Sequence, residues 1–536
     1  MSAADSSEPS TSPAKASVAH SAFLVAAGIF FSRISGLVRD SVFAHYFGIS
    51  YAADAFRAAM RIPNFLQNLF GEGVLSASFI PVYARLVAEE KKQEAGRVAG
   101  AVFSLLALVT SILVLGGVLA TPYLIDAIAP GFHGETRELA IRLVRIFFPG
   151  VGLLVLSAWC LGILNSHGRF FLSYVSPVVW NTAIITALLA FRRAELSQLA
   201  VYTAWASVAG SALQFLMQLP IVLNLAPAIR LTLGSASQDV RVVIKNFFPV
   251  FIGRGVTQLS AYIDNLLASF LPTGAVAALF NAQTLYMLPI SLFGMSVSAA
   301  ELPAMSSALG SEQQVAEALR SRISSSTRRI VFFVVPSAVA FLALGDIVAA
   351  TIYQSGKFSV ADAKYVWAIL AGSAIGLVAS TVGRLYSSAY YALRDTRTPL
   401  RFALVRVGLT TALGCLFALP AGAPLGPWLL GIDPRWGVAG LTASAGFSAW
   451  VEFLLLRRAM NLRIGHIQFP ATYILKLWLA AILAAGAGWG LRLGLHPHNP
   501  RIAGLVILIP YGLVYLGLTA LMGIDQSAAI VRRLRR

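Results

Sequence analysis

Between residues 31 and 85 a strongly apolar stretch carries Arg33, Arg39, Asp40, Asp54, Arg57, Arg61 and Glu72. A charge at the centre of a membrane-spanning helix costs about 2.5–3.5 kcal/mol on insertion scales, so it persists only where water, a counter-charge or a ligand meets it. Asp54, Arg57, Arg61, Asn64, Asn68 and Glu72 recur every three or four residues, which places them on one stripe of a helix. Arg33, Gly36 and Asp40 repeat that pattern on the preceding helix. The stripes predict a basic, hydrated cavity, and guanidinium groups suit bidentate contact with phosphate or carboxylate. The competing account is local pairing, since Asp54 with Arg57 makes an ordinary intrahelical pair, or snorkelling of the arginine heads to the surface. Four arginines on two adjacent helices exceed what the three local acids neutralise, which favours the cavity.

Fewer charges occupy the second half. Arg254, Gln258 and Asn265, with Asp264 beside them, put a polar face on one helix, and Arg384 lies deep in another. Arg254 and Arg384 are assigned to the same cavity. Arg406, about two turns from a helix end, is expected to snorkel.

Composition sets the class. Of 536 residues 57% are apolar and 12% charged, and mean hydropathy is +0.74, values of a polytopic membrane protein rather than a soluble one. The net charge of +18 is spread over helix ends and intramembrane sites, with no solvated basic domain, so no nucleic acid is expected as a partner. Cys160 and Cys415 lie in apolar runs without metal-ligand spacing, and no HExxH, CxxC or GxxxxGK[ST] pattern occurs. No cofactor and no metal are expected.

Long apolar segments with short connections, each at least the roughly 20 residues that cross a bilayer, predict fourteen helices. They fall near 17–47, 52–85, 98–125, 139–166, 170–191, 196–224, 239–271, 274–308, 326–354, 363–392, 399–421, 436–456, 470–493 and 502–523. Pro272, Thr273 and Gly274 mark the turn within the long uncharged run 265–300. The expected organisation is a disordered cytoplasmic N-terminus (1–16), a first six-helix lobe (17–224), a cytoplasmic linker (225–238), a second six-helix lobe (239–459), two further helices (469–523) and a basic cytoplasmic tail (524–536). No cleaved signal peptide is expected, because the first apolar run leads into SRISGLVRD rather than a small-residue cleavage site. Lys and Arg crowd the connections on one side, among them Arg85, Lys91, Lys92, Arg97, Arg230 and Arg241, which puts both termini in the cytoplasm.

A weak internal repeat supports two lobes. RDSVFAHYFGISYAADAF at 39–56 answers IDNLLASFLPTGAVAALF at 263–280, pairing Asp40 with Asp264 and Phe56 with Phe280. Six helices per half make the repeats parallel, related by an axis along the membrane normal. In the last two helices Gly486, Gly490 and Gly494 share a face, which serves a packing seam or a shallow groove equally well.

SRISGLVRDSVFAHYFG (32–48), ADAFRAAMRIPNFLQNLFGEGVLSASFIPVYA (53–84), APGF (129–132), LNSHGRF (164–170), YQSGKF (353–358) and YALRDTRTP (391–399) appear in order. With them, residues 18–460 resemble the MurJ (MviN) family of lipid II flippases, within the multidrug/oligosaccharidyl-lipid/polysaccharide exporter superfamily. The resemblance implies two lobes around a central cationic cavity, with the last two helices forming a groove for the undecaprenyl tail. It implies a transporter rather than an enzyme, in the cell inner membrane, carrying lipid-linked peptidoglycan precursor from the cytoplasmic to the periplasmic leaflet by alternating access. Its partners would be lipid II, membrane lipids and cell-wall synthesis proteins. Arg33, Arg39 and Asp54 stand where the family has required charges, Arg61 matches a basic position, and Glu72 matches the acid of the GEG segment.

Two departures stand out. Gln67 replaces the arginine that relatives carry after the PN motif, and Gln283, Thr284 and Met287 stand where some have charges. Arg57 and Arg254 are expected to supply the missing positive charge. Asp264 is a candidate ion-coupling acid, but RFALVRVGLTTALGCLFALP (401–420) holds no acid to complete a hard-cation site, so no sodium site is expected. The alternatives are a flippase for another anionic lipid-linked glycan, or a membrane enzyme acting on one. The enzyme is disfavoured by short loops without a catalytic constellation.

Overall fold

The computed structural model describes residues 13–232, 237–306, 311–418, 433–468, 471–495, 497 and 499–528, and every regular element among them is helical. Side chains at 13–26, 63, 72–73, 77, 248–261, 299–300, 303–304 and 312 lie outside the described set. The polar start of the chain to residue 12 and the end of the basic tail from 529 also lie outside the described residues.

Contacts divide the chain into two compact units. Unit 1 comprises Met1–Phe43, Ala58–Ile125 and Gly134–Leu259; unit 2 comprises Ala44–Arg57, Asp126–His133 and Ser260–Arg536. The first nine helices are α1 (Pro13–Phe47), α2 (Tyr51–Phe70), α3 (Glu72–Ser78), α4 (Ile80–Ala88), α5 (Lys92–Ile128), α6 (Gly134–Ser166), α7 (Phe170–Val175), α8 (Pro177–Ala190) and α9 (Leu196–Leu225). Then come α10 (Gln238–Ser269), α11 (Ala275–Pro289) with a π turn over Ile290–Met295, α12 (Ser296–Ser306), α13 (Glu312–Ala343), α14 (Gly345–Tyr353), α15 (Val360–Ile375) and α16 (Leu377–Ala392). The last four are α17 (Arg397–Ala418), α18 (Gly437–Ile464), α19 (Ala471–Leu495) and α20 (Pro500–Leu521). Helix α1 begins at Pro13, inside the stretch read from composition as disordered.

In unit 1, α6 packs along α9, and α8 also packs against α9. Lipid offers no hydrophobic driving force between helices, so close packing and interhelical hydrogen bonds hold them. Buried Ser157, Gln214, Gln218 and Ser176 supply a bonded chain that ties α6, α9 and the start of α8. Apolar packing of Phe79, Tyr83, Val102, Trp159 and Ile163 forms the core beside it, with the Trp159 indole donating to the Ala99 carbonyl at 3.1 Å.

In unit 2, α18 packs against α15, α16 and α17, while α19 and α20 pair and lie against α13 and α14. Gly376, at the bend between α15 and α16, approaches α18 so closely that a Cβ would fall 2.4 Å from the Gly446 Cα. Pro336 interrupts α13 and has no N–H to give the Phe332 carbonyl, the partner it would have one turn earlier. Tyr515 of α20 donates its hydroxyl to that carbonyl at 2.6 Å, and Tyr511 donates to the Pro336 carbonyl at 2.6 Å. The glycine face of α19 is open, with nothing within 4 Å of a Cβ built on Gly486, Gly490 or Gly494.

Among the described residues ten helices are long and apolar enough to cross a membrane, or eleven if the bent pair α15–α16 is one span. The chain is a multi-pass membrane protein. The count falls short of the fourteen expected from the sequence because α1, α2 and α10 are not among them. Helix α2 carries Asp54, Arg57 and Arg61 within twenty residues, and α1 and α10 include stretches whose side chains are not described.

Candidate functional site

The polar stripe of α2 divides between the two units. Its first turn is buried in unit 2, where Asp54 and Arg57 are 3% and 2% exposed. The Asp54 carboxylate accepts the Gly274 N–H at 2.5 Å and the Ala277 N–H at 2.7 Å. These are free donors of the first turn of α11, whose positive dipole end favours an anion. Gly274 precedes the helix with φ +96°, a backbone conformation for which glycine is suited, at the turn that Pro272–Gly274 predicts. The Arg57 guanidinium carbon lies 3.9 Å above the Phe280 ring centre, a cation–π contact in a desolvated setting.

The C-terminal end of the same stripe belongs to unit 1. Arg61 and Asn64 are half-buried, and Asn68 opens into a cavity of about 540 Å³. Arg33 and Ser32 of α1, Gln67 of α2, Ser76 of α3, Ser157 of α6, Ser173 and Tyr174 of α7, and Gln214 of α9 share the wall. Arg33 makes no side-chain bond to another described residue, so its charge is left to water or a ligand in the cavity.

Arg39, six residues along α1, is held on three sides. Its Nη2 lies 3.0 Å from Asp40 Oδ1, its Nη1 donates to Asn181 Oδ1 at 3.0 Å, and its guanidinium carbon stands 5.0 Å from the Trp180 ring centre. Asn181 donates in turn to Ser35 Oγ at 2.8 Å, and the Trp180 indole donates to the Ser207 carbonyl at 3.0 Å. With the side chains of Arg39 and Asp40 only 14% and 4% exposed, this is a largely desolvated ion pair whose orientation is set by neutral neighbours.

The remaining candidates are dispersed. The side chains of Glu72 and Arg254 lie outside the described residues. Asp264 is half-buried on α10 beside buried Asn265. Arg384 is exposed on α16, within electrostatic reach of Arg406, Glu452 and Tyr286. Arg406, expected to snorkel, instead pairs with Glu452 of α18 at 3.0 Å. Among the described residues no three His, Cys, Asp or Glu side chains gather where they could hold a metal ion. Sequence reasoning missed Trp180, Asn181, Gln214 and Glu452. Glu452 carried a readable signal, an acid within an apolar helix, whereas neutral Asn181 and Gln214 gain meaning only from what they touch.

The Lipid II flippase MurJ family model matches residues 43–498. A lipid II flippase MurJ of Burkholderia cenocepacia is 30% identical over 92% of this chain and 96% of its own. A solved lipid II flippase MurJ in an inward closed conformation superposes with TM-score 0.76 at 25% identity, covering 94% of this chain and 99% of that one. An inward-facing multidrug resistance MATE family transporter of the MOP superfamily shares the fold, with TM-score 0.62 at 18% identity over 80% of this chain and 95% of its own. A charged, partly unpaired site on apolar helices, a matching fold and near full-length similarity converge: this chain belongs to the MurJ lipid II flippase family.

Proposed function

We propose that this protein is a lipid II flippase, carrying undecaprenyl-pyrophosphate-linked peptidoglycan precursor from the cytoplasmic to the periplasmic leaflet of the cell inner membrane by alternating access. Both termini are assigned to the cytoplasm, a placement supported by the crowding of Lys and Arg in the connections on one side. The protein is a transporter, not an enzyme. The observation that carries this reading is Arg33, a cation without a side-chain partner among the described residues, which lines a polar cavity from helix α1.

Arg33 and Arg61 are assigned to the pyrophosphate, together with Asn64 of α2 and Glu72, which begins the separate helix α3 after the break at Gly71. Arg39 is fixed in place by Asp40 and Asn181, so its guanidinium is preorganised and largely neutralised by its partner. Arg254 is assigned the charge that Gln67 lacks. Arg384 is assigned to the peptide carboxylates and Asp264 to ion coupling. Asp54 and Arg57 hold α11 in place rather than touching the substrate. Cell-wall synthesis proteins are the expected protein partners.

Depletion in the native host, with a leaflet-specific assay of lipid II, tests the proposal. Lipid II should accumulate on the cytoplasmic side, and an unchanged distribution in a host with no second flippase would refute it. Competition between lipid II and other polyprenyl-pyrophosphate sugars separates this substrate from other anionic lipid-linked glycans.

A further inference from the structure

The chemistry of the unit 1 cavity differs from that of an anion trap. Apart from Arg33, the polar groups described in its wall are hydroxyls and carboxamides. A pyrophosphate presents acceptors only and is best met by a cluster of cationic donors. Carboxamides and hydroxyls offer donors and acceptors together, which suits a neutral ligand that itself carries both. At about 540 Å³ the cavity is of small-molecule size.

Two features show that the wall is organised. Gln214, 8% exposed, donates its Nε2 to Ser157 Oγ at 3.0 Å; Ser157 donates to Gln218 Oε1 at 2.8 Å, and Gln218 donates to Ser176 Oγ at 2.6 Å. This chain fixes the amide orientation and leaves the Gln214 carbonyl oxygen as an acceptor in the cavity wall. Gln67 and Asn68 face the same space and make no side-chain bond to another described residue, so their amides are available to a ligand.

We propose that this cavity binds the carbohydrate of the lipid-linked substrate, with Gln67, Asn68 and Gln214 reading its hydroxyl and acetamido groups while Arg33 meets the anionic linkage at its edge. Gln67 is then a specificity-determining residue: an arginine there would add a second cation and turn the cavity toward phosphate. The assignment rests on the flippase reading above and extends it to the part of the substrate held here.

The test uses the full-length protein in nanodiscs and equilibrium binding of three probes: undecaprenyl pyrophosphate, the same lipid bearing the disaccharide, and lipid II with its peptide. Gln67→Leu and Asn68→Leu should each weaken binding of both sugar-bearing lipids by about threefold to tenfold, the loss of one neutral hydrogen bond, and leave undecaprenyl pyrophosphate unchanged. Arg33→Ala should weaken all three. Gln67→Arg should tighten undecaprenyl pyrophosphate and narrow the preference for sugar. Thermal unfolding of each variant separates misfolding from lost recognition, and Gln67→Arg gives a gain that misfolding cannot mimic. Equal weakening of all three probes by Gln67→Leu would give the cavity to pyrophosphate, and weakening of the peptide-bearing probe alone would give it to the peptide; either overturns the proposal, as does no change with any probe. Wild-type protein that binds none of the three would instead overturn the flippase reading on which this rests.

Discussion

Replacing Asp54 tests how a buried charge is used. Its two carboxylate oxygens accept the N–H groups of Gly274 and Ala277 at 2.5 and 2.7 Å, and the residue is 3% exposed. Hydrogen bonds to a charged group contribute about 1.5–3 kcal/mol each, and a buried donor left without an acceptor costs about 1–3 kcal/mol. Asp54→Ala strands both donors, for a loss of about 2–6 kcal/mol. Asp54→Asn keeps one acceptor oxygen and loses the charge and the second acceptor, so its loss should be about half as large. Reversible unfolding in mixed dodecylmaltoside–SDS micelles measures both. An accompanying thiol-accessibility assay on Ala277→Cys should show the start of α11 opening in the Ala variant more than in the Asn variant. If both variants unfold like wild type, or if Asn costs as much as Ala, the carboxylate is not holding α11 through those two donors and its role must be sought in the substrate.

Three further substitutions probe separate contacts. Tyr515→Phe removes only the oxygen bonded to the carbonyl that Pro336 leaves free, and should destabilise by about 1–3 kcal/mol in the same micelle assay, while Tyr473→Phe, whose hydroxyl bonds an exposed site, should cost less. Asp40→Ala leaves Arg39 largely buried without its counter-charge and should cost about 3–5 kcal/mol, whereas the double change with Arg39→Met should recover much of that; additive losses would refute the pairing. At the connection between α16 and α17, the Asp395 carboxyl is held below its usual range, first by the Thr398 N–H and then by the Thr398 hydroxyl, the Arg397 N–H and Arg463. Because its native pKa is depressed, its stabilisation is present above the unfolded value near 3.9 and fades as pH falls through the native one. Asp395→Asn should therefore be less stable than wild type at pH 7, and the gap should close below about pH 4; a constant gap would refute the assignment.

Much of the fold was legible before any coordinates. Apolar runs of spanning length, short connections and Pro272–Gly274 at a turn dictate a helical membrane protein, because a chain in lipid must satisfy its backbone hydrogen bonds within each segment. Periodicity also placed Asp54, Arg57, Arg61, Asn64 and Asn68 on one face of α2. Periodicity reports a face but not its partner. Tertiary packing decided that the first turn of that face docks on α11 while Asn68 opens into a cavity, and that Arg39 is paired while Arg33 is not. It likewise joined Arg406 to Glu452, which lie 46 residues apart and carry no local signal of each other. The neutral amides were the least legible, since Gln214 and Asn181 cost little to bury when bonded and announce nothing in a hydropathy profile. Sequence by itself determined that charges would be carried within apolar helices, from residue type and spacing alone; only the three-dimensional arrangement decided which charges neutralise one another and which are left to meet a ligand, because that depends on distances between helices remote in the chain.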